Sequence, residues 1–579
     1  MTTVNDAIGT TPSTSIQHAS IKPSLRVGAI VLAVVFTLLN AVKPLHIDDS
    51  YYYIHARHIA EAPFDPYGFS FMFINQWLPA NNALAPPLLL YWWAAAIRLF
   101  GTQPLLWKLW LLPFSLAFSL SLAALFERFA SGLVRPLLCM TVLSPTFLPS
   151  LNLMVDVPAL ALSLLGLVVF MRAVDRDSWT LAMLAGFAVG LAMQTKYTAI
   201  LAPPVALAYA LLWKRPRLWV GFALPAGAVF VLWEAFVAFR YGESHFLHHL
   251  RAAPNAQDTR LGLVIALFTV TGGLAPAIGL LGLVALRWRG WLVGGAACAA
   301  ALVYLCLTVG ICDFDRELLA APGIGTLRVI DLLFGLMGVG VFVACLAVAR
   351  SLLSSPGSAA GLDRALAFLL CWLAIEIIGS VAISPFPAAR RVMGIVVVLS
   401  LLVGRLASRT CAAGEARRRL NQIAAGGVAL GLLFYAADWR EAFAEKQAVA
   451  AALKRIGPLP AGATVWHTAS WGFQYYAEDA GIKLLIPEHT SDGSTPPTPT
   501  RLHAGDWLLL VDVHIPQEWV HPPEDAARVV DSVEISDGLT LDALHFYSGR
   551  APLEHRDRNK PRVRVTLVRV IADAYCAPP

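Results

Sequence analysis

Charge is what this sequence has least of. Asp, Glu, Lys and Arg make up 14% of its 579 residues, against 57% hydrophobic residues, whereas soluble domains carry about 25% charged residues. That shortage excludes burial of so much apolar surface in one water-soluble core and leaves the bilayer as its natural solvent. Nucleotide-binding signatures are missing as well. There is no P-loop and no Gly-x-Gly-x-x-Gly fingerprint, which argues against ATP as a donor. Eight cysteines (Cys139, Cys298, Cys306, Cys312, Cys345, Cys371, Cys411, Cys576) include no Cys-x-x-Cys pair and no matching histidine pattern, so no zinc site is expected. Most of them fall in apolar segments, where a thiol serves as a small hydrophobe. The net charge of +6 comes from Lys and Arg scattered in short loops and points to membrane topology, not nucleic acid.

Apolar runs long enough to cross a bilayer recur along the first three quarters of the chain. Spans are expected near 27–45, 105–125, 136–151, 157–174, 180–196, 199–213, 218–238, 261–286, 290–311, 328–349, 366–384, 391–408 and 422–437, about thirteen in all. Residues 1–25 are polar, Ser- and Thr-rich and expected to be disordered. The first run is too long for a signal-peptide core and lacks a small-x-small cleavage site, so it reads as an uncleaved anchor. Arg26, Arg128, Arg135, Arg172, Arg176, Lys214, Arg215, Arg217, Arg287, Arg289, Arg350, Arg405, Arg409 and Arg417–Arg419 all fall on one side of this scheme. By the positive-inside rule that side is cytoplasmic. Counting 86–100 ("PPLLLYWWAAAIRLF") as a span would invert every later loop, so it reads as an interfacial helix within an external loop, 46–104.

From 439 the composition changes. Charge, Pro and Gly rise, and β-like runs appear ("ATVWHT", "KLLIP", "DWLLLVDV", "RVTLVRV"), with a helix-like stretch over 439–455 and a loop at "TSDGSTPPTPT". The expected fold is therefore a polytopic α-helical membrane domain, 26–438, followed by an extracytoplasmic α/β domain, 439–579.

A few polar residues stand out against this background. Asp48 and Asp49 sit where the first span leaves the bilayer, in "HIDDSYYYIHARHIAE". A carboxylate near hydrocarbon is costly to ionise, which suits a general base; the alternative is an N-cap for the helix that follows. Asp156 ("VDVPALAL") falls on the same external side, and it too could be a cap. Lys108 and Lys196 are cations near the outer ends of spans, where lysines also snorkel. Arg390 and Arg391 ("PAARRVMG") break the positive-inside pattern, and an anionic partner such as a lipid phosphate accounts for the exception. His245, His248 and His249 could ligate a metal, but no carboxylate partner is evident in the sequence, and none is expected. Together these groups suit binding a phosphate-linked lipid and deprotonating an acceptor hydroxyl.

In this order, the pieces resemble the GT-C glycosyltransferase superfamily, in particular the family containing protein O-mannosyltransferases and the aminoarabinose transferase of lipid A. "DDSYYYIHARHIAE" resembles its acidic pair and following helix, "APPLLLYWWAAAIRLFG" its juxtamembrane helix, and "VDVPALALSLLGL" its second-loop Asp. "AGFAVGLAMQTKYTAILAPP" resembles its Gly-Leu-Ala…Thr-Lys span, "PAARRVMGIVVVL" its Arg-Tyr…Pro element, and "WGFQYYAEDAG" a segment of its outer domain. The likeness covers most of the chain. Asp49 stands where Glu is common, Ala85 where a polar residue precedes Pro-Pro-Leu, Lys108 where Arg is usual, and Arg391–Val392 where Arg-Tyr is usual.

The resemblance implies a GT-C membrane module, an inverting transfer of sugar from a polyprenyl-phosphate donor, and an extracytoplasmic active site in a bacterial inner membrane with the N-terminus cytoplasmic. It implies Asp48, Asp49 and Asp156 as the acidic catalytic positions, and Lys108, Lys196, Arg390 and Arg391 as the cations meeting the phosphate. No metal or cofactor is expected; the partners are the lipid-linked sugar, membrane lipids, and a lipid, glycan or protein acceptor. The competing readings are a membrane transporter, disfavoured by the absence of an internal repeat, and a non-catalytic binder of lipid-linked sugars.

Overall fold

The computed structural model describes residues 22–576, apart from 74–75, 84–85, 253–259, 289, 310–312, 322–324, 355–362, 385, 412–413, 491–494, 514–520, 544–545 and 548. The expected disorder of 1–25 therefore falls almost wholly outside the described residues. So do Ala85, Arg289, Cys312 and part of the "TSDGSTPPTPT" loop.

The chain is a polytopic helical membrane protein with a C-terminal α/β unit. Among the described residues, eight helices are long and apolar enough to cross a membrane: Pro23–Ala41, Pro104–Phe129, Asp156–Arg176, Pro216–Tyr241, Val329–Leu353, Arg364–Ile383, Met393–Thr410 and Gly414–Ile456. A further pair of apolar helices, Leu261–Leu274 and Pro276–Ala285, meets at 75°, because the proline ring cannot continue the helix of the preceding residues. Other expected spans are shorter elements. The stretch 136–151 holds a nine-residue helix, Val134–Val142, and a 3₁₀ turn at Leu148–Ser150. Those expected at 180–196 and 199–213 become apolar helices of 10–17 residues, whereas 290–311 holds the 20-residue helix Gly290–Val309.

Glycine sets how closely several spans approach. A Cβ at Gly272 would lie 1.9 Å from the Phe334 carbonyl oxygen, and one at Gly338 would lie 1.9 Å from that of Phe268. The 261–274 and 329–353 helices therefore touch backbone to backbone, as small residues permit in membranes.

Between the first two spans lies a folded loop. It contains the helix Asp49–Glu61, a hairpin pairing Ser70–Phe73 with Gln76–Pro79, and the helix Leu88–Phe100. At 13 residues the last is too short to span. It packs on the Asp49 helix through Tyr52 and Trp93, with ring centroids 5.6 Å apart.

The Gly414–Ile456 helix runs unbroken past 439, where the composition changes, and its final turns carry the C-terminal unit. There a five-stranded sheet has the order 483–484, 465–467, 507–513, 563–570, 527–535. Its first three strands are parallel and the last two pairings antiparallel. Ala444, Ala448 and Val449 of the long helix share a core with Leu509, Val511 and Val565 of the sheet.

Candidate active site

Helix ends from distant parts of the chain converge at one end of the bundle. The Pro23–Ala41 helix is followed by a short loop in which Ile47 takes φ +50°. A β-branched residue in the left-handed region is strained, and such strain persists where surrounding structure over-determines it. It turns the chain so that Asp48 opens the Asp49–Glu61 helix. Asp48 occupies the N-cap position but makes no side-chain capping bond. Its carboxylate accepts instead from Arg390 at 2.9 Å. The same test disposes of capping for Asp156, which lies in the first turn of its helix, makes no capping bond, and is ion-paired to Lys196.

Arg390 and Arg391 share a 3₁₀ turn just before the Met393–Thr410 helix. Both guanidiniums lie near the Phe386 ring, 5.5 and 4.9 Å from its centroid. Both Nε atoms are buried without a hydrogen-bond partner, as is Asp156 Oδ2. Arg391 has no carboxylate within ion-pair distance among the described residues. Arg390 is buried, yet Asp48 and Asp156 beside it hold its pKa above the ordinary value.

Asp156, Lys196, Arg390 and Arg391 line one cavity of about 790 Å³. Its walls also include Ala159, Leu164 and Leu167 from one span and Gly379 and Ile383 from another. From Asp156 to Leu167 the wall descends eleven residues, about 16 Å at the helical rise. Glu376, buried in the wall, accepts a hydrogen bond from Trp372 Nε1 at 3.0 Å. Sequence reading passed over Glu376, although a lone acid in "CWLAIEIIGS" is the usual sign of a function within a span.

Three of the expected site residues lie off the cavity's lining: Asp48, tied to it through Arg390, and Asp49 and Lys108. Asp49 is fully buried behind the loop, accepts from the His46 backbone N–H at 3.0 Å, and faces Lys108 Nζ at 3.9 Å. Lys108 donates to the Lys43 and Pro44 carbonyls at 2.7 and 3.1 Å. Burial raises the Asp49 pKa, against the opposing pull of Lys108. Lys43 pairs with Asp438 of the long helix, and Tyr547 donates to that same carboxylate at 2.7 Å. This network pins the loop that presents Asp48. Sequence reading missed Lys43 and Asp438 because each looked like an ordinary charge at the end of a span.

On the far side of the same loop, His46 and Ile47 line a second cavity of about 1450 Å³ between the membrane bundle and the C-terminal sheet, with Trp471, Glu445, Asp512 and Arg562 on its other walls. Burial disfavours a charged His46, but Glu445, 3.3 Å from Nδ1, outweighs it and raises the pKa. His245, His248 and His249 are not gathered on a carboxylate cage. His245 Nδ1 meets the Tyr197 hydroxyl at 2.7 Å and His248 faces Glu243 at 3.1 Å. No group of three metal-ligating side chains occurs among the described residues.

Residues 85–238 match the family described as dolichyl-phosphate-mannose-protein mannosyltransferase. The matched segment holds Lys108, Asp156 and Lys196 but neither the Asp48 loop nor the arginine pair. Over that segment the resemblance to GT-C glycosyltransferases is supported by a family match. No curated protein matches the chain. Among solved structures, ArnT from Cupriavidus metallidurans in the apo state is 16% identical with a TM-score of 0.40, over 84% of this chain and 92% of that one. The same protein bound to undecaprenyl phosphate is 16% identical with a TM-score of 0.40, over 93% and 97%. The Archaeoglobus fulgidus oligosaccharyltransferase, in complex with zinc and sulfate, is 14% identical with a TM-score of 0.43, over 79% and 62%.

Proposed function

We propose that this chain is an integral-membrane glycosyltransferase that moves a sugar from a polyprenyl-phosphate donor to an acceptor at the extracytoplasmic face of a bacterial inner membrane, with its N-terminus in the cytoplasm. The observation that carries the reading is the cavity in which Lys196, Arg390 and Arg391 meet a mostly apolar wall running about 16 Å along the Asp156 helix, with Asp156 and Glu376 as its acids. A phosphate with a long hydrocarbon tail is the chemistry that both halves fit.

In this reading Arg390, Arg391 and Lys196 hold the donor phosphate, and the apolar walls hold the first isoprene units. The acceptor approaches from the junction cavity, past Ile47. Its hydroxyl oxygen attacks the anomeric carbon as the bond to phosphate oxygen breaks, with inversion. The bonding pair goes to the leaving phosphate, where the guanidiniums meet the developing charge. The acceptor proton goes to Asp48. Arg390 links the two events, because the group that meets the phosphate also holds the base. Asp156 positions Lys196. Asp49 and Lys108, off the cavity wall, position the Asp48 loop and do not touch the donor.

The test is transfer from a panel of radiolabelled polyprenyl-phosphate sugars by the purified protein in membranes, wild type beside Asp48→Asn. Release of polyprenyl phosphate by the wild type, lost in the variant, is expected. Equal donor binding by both proteins with no turnover from any donor would replace the enzyme with a non-catalytic carrier of lipid-linked sugar.

A further inference from the structure

The Asp156–Arg176 helix joins two cavities. Asp156 lies in the one described above; its last turn lies in another, twenty residues and about 30 Å away, the thickness of a bilayer's hydrocarbon core. This third cavity, about 940 Å³, is lined by Arg26, Arg128, Arg172 and Arg176, with Asp175 the only acid. Asp175 is already committed: Arg128 grips it with both terminal nitrogens, at 2.6 and 2.8 Å. Arg26, Arg172 and Arg176 have neither an ion pair nor a side-chain hydrogen bond among the described residues. Three uncompensated guanidiniums therefore face one concavity.

The remaining walls decide what kind of anion fits. Leu125, Val168, Val169 and Leu181 make the cavity floor apolar. On the first span, which supplies Arg26 to the cavity, Val27, Val31, Val34 and Leu38 form one exposed ridge; at intervals of three and four residues they share a single helix face. The ridge extends about 16 Å toward the other end of the bundle. A small soluble anion uses the arginines and leaves this track idle, whereas an anionic phospholipid uses both.

We propose that this arginine cavity is a binding site for the phosphodiester headgroup of an anionic phospholipid, with an acyl chain along the Val27–Leu38 ridge. Basic residues gather at such bundle ends for reasons of topology alone. What topology does not require is their convergence, unpaired, on a cavity with apolar walls, which is the form that intramembrane lipid-headgroup pockets take. The site is separate from the donor cavity and does not depend on the transferase reading.

The test is selectivity for spin-labelled phosphatidylglycerol over spin-labelled phosphatidylcholine, read by electron paramagnetic resonance on the full chain in phosphatidylcholine vesicles. The wild type is expected to prefer phosphatidylglycerol, losing about fivefold per arginine in the Arg172→Gln/Arg176→Gln variant. Leu181→Trp fills the cavity without altering charge or topology, and should abolish the preference while the circular dichroism spectrum stays that of the wild type. Equal selectivity in the wild type and in a folded Leu181→Trp variant would overturn the site. So would broadening of the inorganic phosphate ³¹P resonance with no preference between the lipids, because the ligand would then be a free anion.

Discussion

Arg390 donates to Asp48 at 2.9 Å across 342 residues of sequence. The proposed base is therefore not a free carboxylate in the resting protein but one half of an ion pair, and the other half belongs to the phosphate site. A bound donor phosphate competes with Asp48 for the same guanidinium, so loading the donor releases the base. Arg390→Gln should then reduce kcat more than it weakens donor binding. Asp48→Asn should cost about 10²–10⁴-fold in kcat, the range for a lost general base, while donor binding tightens because the carboxylate competing for Arg390 is gone. Single-turnover rates and donor Kd for both variants check this; a purely tighter or weaker Kd with constant kcat would separate Arg390 from the base.

Asp156 and Lys196 make a second pair, nearly all of it out of water. Breaking a buried pair from one side strands the other charge at about 3–5 kcal/mol. Asp156→Asn and Lys196→Met should each lower thermal stability, and the double variant should be more stable than their summed effects predict. Donor binding should nevertheless weaken in the double variant, because one of the three cations at the phosphate is gone. A double-mutant cycle read by both unfolding and donor binding distinguishes the pair's structural part from its phosphate part.

How much of this was legible beforehand depends on the range of the contacts. Membrane class followed from charge scarcity alone. Asp48 and Asp156 could be found because carboxylates at span ends are conspicuous, and Arg390 and Arg391 because they violate the positive-inside rule. Asp49 and Lys108 have equally conspicuous residue types. Their burial behind the loop is set by packing against the first span, and no local pattern records that. Lys43 and Asp438, 395 residues apart, are invisible for the same reason: each is an ordinary interfacial charge until the other is placed beside it. The break at Pro276 was legible as a proline. Its 75° bend was not, since prolines inside spans also kink gently or, as Pro225 within Pro216–Tyr241, leave the helix continuous.

Ile47 gives a test of how the base is aimed. Its left-handed φ costs roughly 1–3 kcal/mol in a β-branched residue, and glycine removes that cost. Ile47 is also buried in the core, so Ile47→Gly forfeits about 2–5 kcal/mol of packing against that relief; the melting temperature should fall, and kcat with it, because the loop loses the side chain that fixes the Asp48 entry angle. A Tm decrease with unchanged kcat would show that Ile47 serves packing alone.

Acid should destabilise the protein through two buried histidines outside the spans. Burial lowers the pKa of His55 to about 4 and that of His467 to about 3, both from the ordinary 6.5. Both are neutral when folded, so below pH 6.5 the unfolded chain takes up protons that the folded one refuses. Stability therefore falls as pH drops from 6.5 toward 4, by roughly 1.4 kcal/mol per unit for each histidine. His46 works in the opposite sense. Its raised pKa, maintained by Glu445, adds stability that is fully present below pH 6.5 and is lost as pH rises through the folded value. The melting temperature should consequently peak near neutrality and fall on both sides. His467→Phe should flatten the acid limb and His46→Gln the alkaline one. The two limbs should respond independently, because His467 lies in the sheet of the C-terminal unit and His46 in the loop beneath it. A single-histidine variant that moves both limbs would mean that the two histidines are energetically coupled and do not titrate as independent groups.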